Sequence, residues 1–260
     1  MAELAVAGRV PRFEVPEWRE RFGVVAGVTG RGDPDGPGFD LGLGTEQPVA
    51  SAMARWREFR QAEPGFTAFV LGQQVHGTQV ALSPGAGGWT ILDGVDGHAT
   101  ARPGTLLLVT VADCIPVYLV APRRRAVALL HAGWRGTAGG ILGAGVGALR
   151  QLGAVPGEIV MHCGVGICGD CYEVGSEVMT ACGVGCEGSG PWHLDLRERL
   201  ARAAGRLGIH ELTTLVWCSA HDRDRFFSHR ASRGRDGRMV GYLGYPEAGA
   251  ARIDGRRPLQ

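Results

Sequence analysis

Three short stretches of this chain hold side chains suited to metal chemistry: QVHG at Gln74–Gly77, ADC at Ala112–Cys114 and HAGWRG at His131–Gly136. Each sets an imidazole or a thiol at the end of a predicted strand, namely His76, Cys114 and His131. Strand ends are rigid and open onto loops, where sites are built. Two imidazoles and one thiolate form a partial shell for zinc. The fourth tetrahedral position stays open for water or substrate, as catalytic zinc requires, and water held there ionises near neutral pH. Separations of 38 and then 17 residues form no local metal motif. Hydrogen-bonded histidines and a buried thiol therefore remain the alternative for each residue taken alone.

Other residues could complete such a site. Asp113 adjoins Cys114 and could orient a ligand or move protons. Gly133 and Gly136 would let backbone amides approach an anion, with Arg135 in the same turn as a bidentate clamp. The alternative is close packing at the glycines and a solvated arginine. Arg230, next to His229 in FFSHR, could reach an anion. A competing constellation is Cys168-x2-Cys171 followed by Cys182-x3-Cys186. Those spacings suggest a structural zinc site, with buried thiols or a redox pair as alternatives.

Composition narrows the function classes. The chain has 260 residues and a net charge of +1, so clustered positive charge for nucleic acid is not expected. All 27 basic residues are arginine. That excludes Schiff-base chemistry and a P-loop lysine. No stretch is apolar for long enough to span a membrane, and the N-terminal residues lack a signal peptide's pattern. Seven cysteines without a signal peptide read as reduced thiols or metal ligands, and the expected location is the cytoplasm.

The elements that must position these groups are partly legible. Residues 1–22 read as an irregular lead-in to a single domain spanning 1–260. Phe22–Thr29 reads as a strand, Glu46 to Ala62 as a helix, and Phe66–Gly77 as a strand ending near His76. Thr105–Val111 is a nearly continuous apolar run, which suits a strand buried on both faces. Val117–Ala121 and Ala126–His131 are strands around a turn at Arg123–Arg125. Gly133–Leu152 reads as one glycine-rich helix, Cys171–Cys182 as a short helix and Leu194–Gly208 as an amphipathic helix. Thr213–Trp217 and Met239–Gly244 are late strands. Strands and helices mix without strict alternation, so a mixed-sheet α/β layer structure is expected.

Taken together, QVHG, VTVADCIPVYL (Val109–Leu119), HAGWRG, CYEVG (Cys171–Gly175), HLDL (His193–Leu196) and FFSHR with a later GRM (Gly237–Met239) resemble the YfiH family of laccase-domain proteins, also called the multicopper polyphenol oxidase family. The resemblance implies an α/β/β/α layered fold. It also implies zinc held by His76, Cys114 and His131, and activity on purine nucleosides. That activity is phosphorolysis of adenosine, inosine, guanosine or methylthioadenosine, and deamination of adenosine. Phosphate would then meet Arg31, Arg135, Arg230 and the Gly133–Gly136 amides, and Asp113 would serve proton transfer. The family's N-terminal asparagine position falls on Gly42, so that role is not carried over. Two other chemistries use the same residues. Copper-dependent phenol oxidation is one, although eight scattered histidines with no HxH pair argue against several copper ions. A metal-free hydrolase with Cys114 as nucleophile is the other. A non-enzymatic binding module is a further alternative.

Overall fold

The computed structural model describes residues 3–249 except 34, 37 and 84. Its strands are β1 (Leu4–Val6), β2 (Arg12–Glu14), β3 (Val25–Thr29), β4 (Ala68–Gln73), β5 (Val80–Leu82), β6 (Gly88–Asp93), β7 (Gly97–Thr100), β8 (Thr105–Val111), β9 (Ile115–Ala121), β10 (Ala126–Ala132), β11 (Val160–Cys163), β12 (Glu173–Val174), β13 (Trp192–His193), β14 (Glu211–Thr214) and β15 (Met239–Gly244). Its helices are α1 (Pro16–Phe22), α2 (Val49–Ala62), α3 (Trp134–Gly139), α4 (Ile141–Gln151), α5 (Ser176–Ala181), α6 (Leu196–Arg206) and α7 (His229–Ser232).

The strands form a seven-stranded sheet in the order β1-β2-β3-β15-β8-β4-β6 and a six-stranded sheet in the order β14-β11-β9-β10-β7-β5, with β12 and β13 paired apart. Both large sheets are mixed: β4 runs parallel to β6 and β8, while β15 is antiparallel to β3 and β8. In the second sheet β9 is antiparallel to β10 and β11, and β11 is parallel to β14.

Side-chain alternation along the central strands explains the layering. Leu107, Val109 and Val111 of β8 join Tyr118 and Val120 of β9 and Val127 and Leu129 of β10 in a core between the sheets. Leu106 and Leu108 face outward and pack with Trp56 and Phe59 of α2. Val117, Leu119 and Ala121, with Ala128 and Leu130, face the other way and meet Leu142, Val146 and Leu149 of α4 and Leu200 of α6. The layers are thus helix, sheet, sheet, helix. α6 starts where the Asp195 carboxylate caps the amides of Arg197 and Glu198 at 2.8 and 3.2 Å.

Several expectations are corrected. Residues 3–22, the described part of the expected lead-in at 1–22, are not irregular. They hold β1, β2 and α1, and Trp18 is wholly buried. Three-residue strands are too short for hydrophobic periodicity to register, yet β2 pairs with β3 and β1 forms the edge beside β2. Gly133–Leu152 is two helices, not one, because Gly140 adopts φ 89° and breaks the ladder. α2 begins only at Val49, after Pro48. Strands β5, β6 and β7 carried no clear pattern in the sequence.

Candidate active site

Two chain crossings between the sheets build the site. After β4 the chain leaves the first sheet and enters the second at β5, and after β8 it does the same to reach β9. His76 lies on the first crossing, Cys114 on the second, and His131 in β10 beside β9. One ligand atom from each of the three lies within 4.8 Å of the others. His131 is buried, Cys114 half-buried and His76 exposed, so the cluster opens on one side. The two imidazole rings meet edge to face, with centroids 4.9 Å apart. Both crossings turn tightly: His76 has φ 61° and Asp113 φ 84°, the left-handed region that non-glycine residues seldom adopt.

Asp96 organises these loops, and no sequence pattern singled it out. Its carboxylate accepts the backbone N–H of Val75, His76 and Gly77 at 3.1, 2.9 and 2.8 Å. Its Oδ1 also lies 2.9 Å from Nδ1 of His131. The Asp96 carbonyl accepts the His131 amide at 2.8 Å. With Nδ1 engaged, Nε2 is the His131 donor left for a metal. Burial alone would raise the Asp96 pKa, but the hydrogen bonds from His131 and the loop amides outweigh it and hold the carboxyl below its ordinary value. Gln74 ties the first crossing to the end of β8, just before the second. Its side chain accepts the Thr110 amide at 2.7 Å and donates to the Thr110 carbonyl at 2.9 Å.

Electrostatics favour a thiolate. Burial pushes the Cys114 thiol up, but His131 attracts the anion and both histidines bond to it, bringing its pKa down to about 6. Burial pushes His131 down, but Cys114 and Asp96 reverse that and raise it to about 9. Without a cation, the pair is a thiolate beside an imidazolium. The donor set therefore fits a thiophilic divalent ion, which would replace the imidazolium proton as countercharge.

The glycines of HAGWRG are explained by space. A Cβ on Gly133 would lie 2.9 Å from Cys114 Sγ and 3.3 Å from the His76 ring, and one on Gly136 would lie 3.0 Å from the Gly77 carbonyl oxygen. Asp113 has both oxygens engaged. Ser219 Oγ donates to one at 2.6 Å and the Arg230 amide to the other at 2.6 Å. Arg31 is ion-paired with Asp236 at 2.5 Å and lies 4.4 Å over the Phe227 ring. Exposed Arg135 stacks on Trp134 at 4.3 Å. Exposed Arg230 bonds the Glu173 carbonyl at 2.6 Å and lies over Tyr172 at 5.0 Å. Gly42 is tightly enclosed, since a Cβ there would meet Thr45 at 2.6 Å.

The four-cysteine constellation does not form. Cys182 Sγ faces the Trp134 carbonyl and Cys186 Sγ the Ser176 carbonyl, each at 3.9 Å. Cys168 and Cys171 meet different partners, Cys218 and His221.

The sequence pattern of the family described as multi-copper polyphenol oxidoreductase laccase matches residues 29–245. A purine nucleoside phosphorylase of Deinococcus radiodurans is 36% identical over 248 residues, which cover 92% of each chain. The crystal structure of YlmD from Geobacillus stearothermophilus superposes with a TM-score of 0.84 at 28% identity, covering 94% of this chain and all of that one. Adenosine deaminase RL5, from an unknown prokaryotic organism, is 32% identical over 151 residues, 54% of this chain and 58% of that one. With its layered fold and the match over residues 29–245, this chain belongs to the laccase-domain family of YfiH-like proteins.

Proposed function

We propose that this chain is a zinc-dependent purine nucleoside enzyme whose main reaction is phosphorolysis to free base and ribose 1-phosphate. The observation that carries the reading is the convergence of His76, Cys114 and His131, with Asp96 fixing both the His131 ring and the His76 loop. Full-length similarity to a purine nucleoside phosphorylase supports the substrate class. We take residues 1–260 as one laccase-type domain acting in the cytoplasm. Among the described residues, no helix is long and apolar enough to cross a membrane.

His76, Cys114 and His131 would hold the ion through two imidazole nitrogens and one sulfur. A zinc ion held there would supply Lewis acidity to the site. The remaining work falls to the chain. Asp96 keeps His131 in one ring orientation and tautomer, so no reorganisation is needed when substrate binds. Gly133 leaves the thiolate uncovered. Hydrogen phosphate attacks C1′ of the ribose, a carbon–oxygen bond forms there, the bond to the purine nitrogen breaks with its electron pair leaving on the base, and the base takes up the proton that phosphate releases. Arg135 is the most available phosphate cation, since its side chain is exposed and, among the described residues, is committed only to stacking on Trp134. Arg230 is exposed but holds the Glu173 carbonyl, and Arg31 must leave Asp236 to take part. Asp113 acts as a positioning residue: both its oxygens already accept hydrogen bonds, so it holds the Cys114 turn rather than shuttling protons.

Adenosine deamination is a second reading, favoured by the similarity to adenosine deaminase RL5. One assay separates them. Purified zinc-loaded protein is incubated with adenosine, inosine, guanosine or methylthioadenosine, with and without phosphate. Phosphorolysis yields free base only with phosphate. Deamination yields inosine from adenosine without it. Release of neither product removes both readings, and oxidation of a phenol only when copper is added would replace them.

A further inference from the structure

We propose that the chain carries a second metal centre, a structural zinc site formed by Cys168, Cys171, Cys218 and His221. It takes no part in the bond-making of the purine reaction and lies outside the His76–Cys114–His131 cluster.

Four ligand-bearing side chains from two distant loops converge there. One ligand atom from each lies within 4.8 Å of all the others. A tetrahedral zinc ion with metal–sulfur bonds near 2.3 Å holds its donors about 3.8 Å apart, so only small side-chain shifts separate this cluster from a closed shell. Cys171 Sγ is 3.0 Å from Nε2 of His221, and Cys168 Sγ is 3.9 Å from its Nδ1. In sequence the donors form two short chelates, Cys168-x2-Cys171 and Cys218-x2-His221. Paired chelates of this spacing are how small zinc sites are built.

The backbone presents the donors. Cys168 follows β11, and Cys171 ends a single 3-10 turn at Gly169–Cys171. The Cys168 amide donates to Cys218 Sγ at 3.3 Å, which joins the two loops. Gly166 bridges to Cys218, and the Ser219 amide donates to the Gly166 carbonyl at 3.0 Å. The buried Arg197 guanidinium holds the same two segments from another side, bonding the carbonyls of Gly166 and Trp217 at 2.9 and 2.6 Å. The Asp222 carboxylate accepts the Cys218 amide at 2.9 Å. A site held this firmly at the backbone is already close to the bound arrangement.

The donor set selects the ion. Three thiolates and an imidazole are soft, suit zinc, and fill all four positions, so the centre holds structure and leaves no vertex for a substrate. On binding, the three thiol protons pass to solvent. A disulfide would satisfy only two of the three sulfurs and leave the third beside an exposed imidazole.

The centre bears on the first site through one residue. Ser219, between two of its ligands, donates to Asp113, and the Ile167 amide beside Cys168 donates to the Asp113 carbonyl at 2.9 Å. Asp113 precedes Cys114. The second ion would therefore brace the turn that presents the catalytic thiol.

Metal counting tests the proposal without reference to turnover. Full-length protein is made in zinc-supplemented medium, and zinc is measured by elemental analysis in wild type, Cys114→Ala, Cys171→Ser and His221→Asn. The expected result is about two zinc ions per chain in wild type and about one in each variant, with one ion per tetrahedral site. Cobalt loading of Cys114→Ala keeps the readout usable if a loop variant misfolds. Strong thiolate-to-cobalt charge-transfer bands with tetrahedral visible bands are expected, because three of the four donors are sulfur. Wild-type zinc unchanged by Cys171→Ser and His221→Asn overturns the proposal. So does a cobalt spectrum of Cys114→Ala without those bands, or a Cys168–Cys171 disulfide in freshly purified, unreduced protein. A wild type holding about one zinc ion, kept by Cys114→Ala and lost by Cys171→Ser, would count against the purine site and leave this one standing.

Discussion

The Asp96 carboxylate lies 2.9 Å from Nδ1 of His131 while it gathers three consecutive amides from the loop that carries His76. One buried side chain thus sets the position of two of the three candidate ligands. Asp96→Ala removes the acceptor of those loop amides and the partner of buried His131, and an unsatisfied buried group costs about 1–3 kcal/mol. A lower denaturant midpoint is expected. Asp96→Asn keeps an acceptor but loses the charge opposite His131. Its zinc affinity should fall about 10- to 100-fold, the usual cost of losing a carboxylate behind a ligating histidine. Chelator competition checks this, and unchanged affinity would remove Asp96 from the site.

Thiol chemistry in metal-free protein should report the Cys114–His131 pair. With a pKa of about 6, the thiol is protonated and unreactive below that pH, and thiolate above it. Iodoacetamide labelling at Cys114, followed by peptide mass, should therefore reach half its maximal rate near pH 6. His131→Asn removes the largest favourable influence on the anion, so the midpoint should move upward. Zinc should suppress labelling, because coordinated sulfur is protected. Labelling that persists with zinc bound would instead favour a cysteine nucleophile working without metal.

Gly133→Ala is a steric test. The new methyl would lie 2.9 Å from Cys114 Sγ. Zinc content and activity should both fall by at least tenfold, while the melting temperature changes little, because the site is open on the His76 side. Normal zinc content in this variant would show that the cluster has more room than its geometry indicates.

Much of the scaffold could be read directly from residue pattern. β8 and β15 lie on the predicted bounds, because strands covered on both faces are apolar throughout. The helix break at Gly140 was hidden, since glycines permit but do not require a left-handed turn. Asp96 sits in DGVDGH, which reads as turn residues, and only the tertiary fold brings it against His131. Spacing alone pairs Cys168 and Cys171 with the nearest downstream cysteines, Cys182 and Cys186. The C-x2-H spacing of Cys218 and His221 carried the missing signal, 47 residues beyond Cys171.

Arg135 and Arg31 should separate in their effect on phosphate. Arg135→Ala should raise the KM for phosphate about tenfold or more with little change in the KM for nucleoside, as for loss of one charge-assisted contact. Arg31→Ala should act mainly through stability, since it breaks the ion pair with Asp236. Equal effects of Arg135→Ala on both KM values would place that residue elsewhere than on phosphate.

The most direct measurement is product release from inosine and phosphate by zinc-loaded wild type and Cys114→Ala. Wild type is expected to release hypoxanthine and ribose 1-phosphate in equal amounts, and the variant to release neither above background. No release by zinc-loaded wild type, or undiminished release by the variant, would contradict a purine nucleoside enzyme centred on His76, Cys114 and His131.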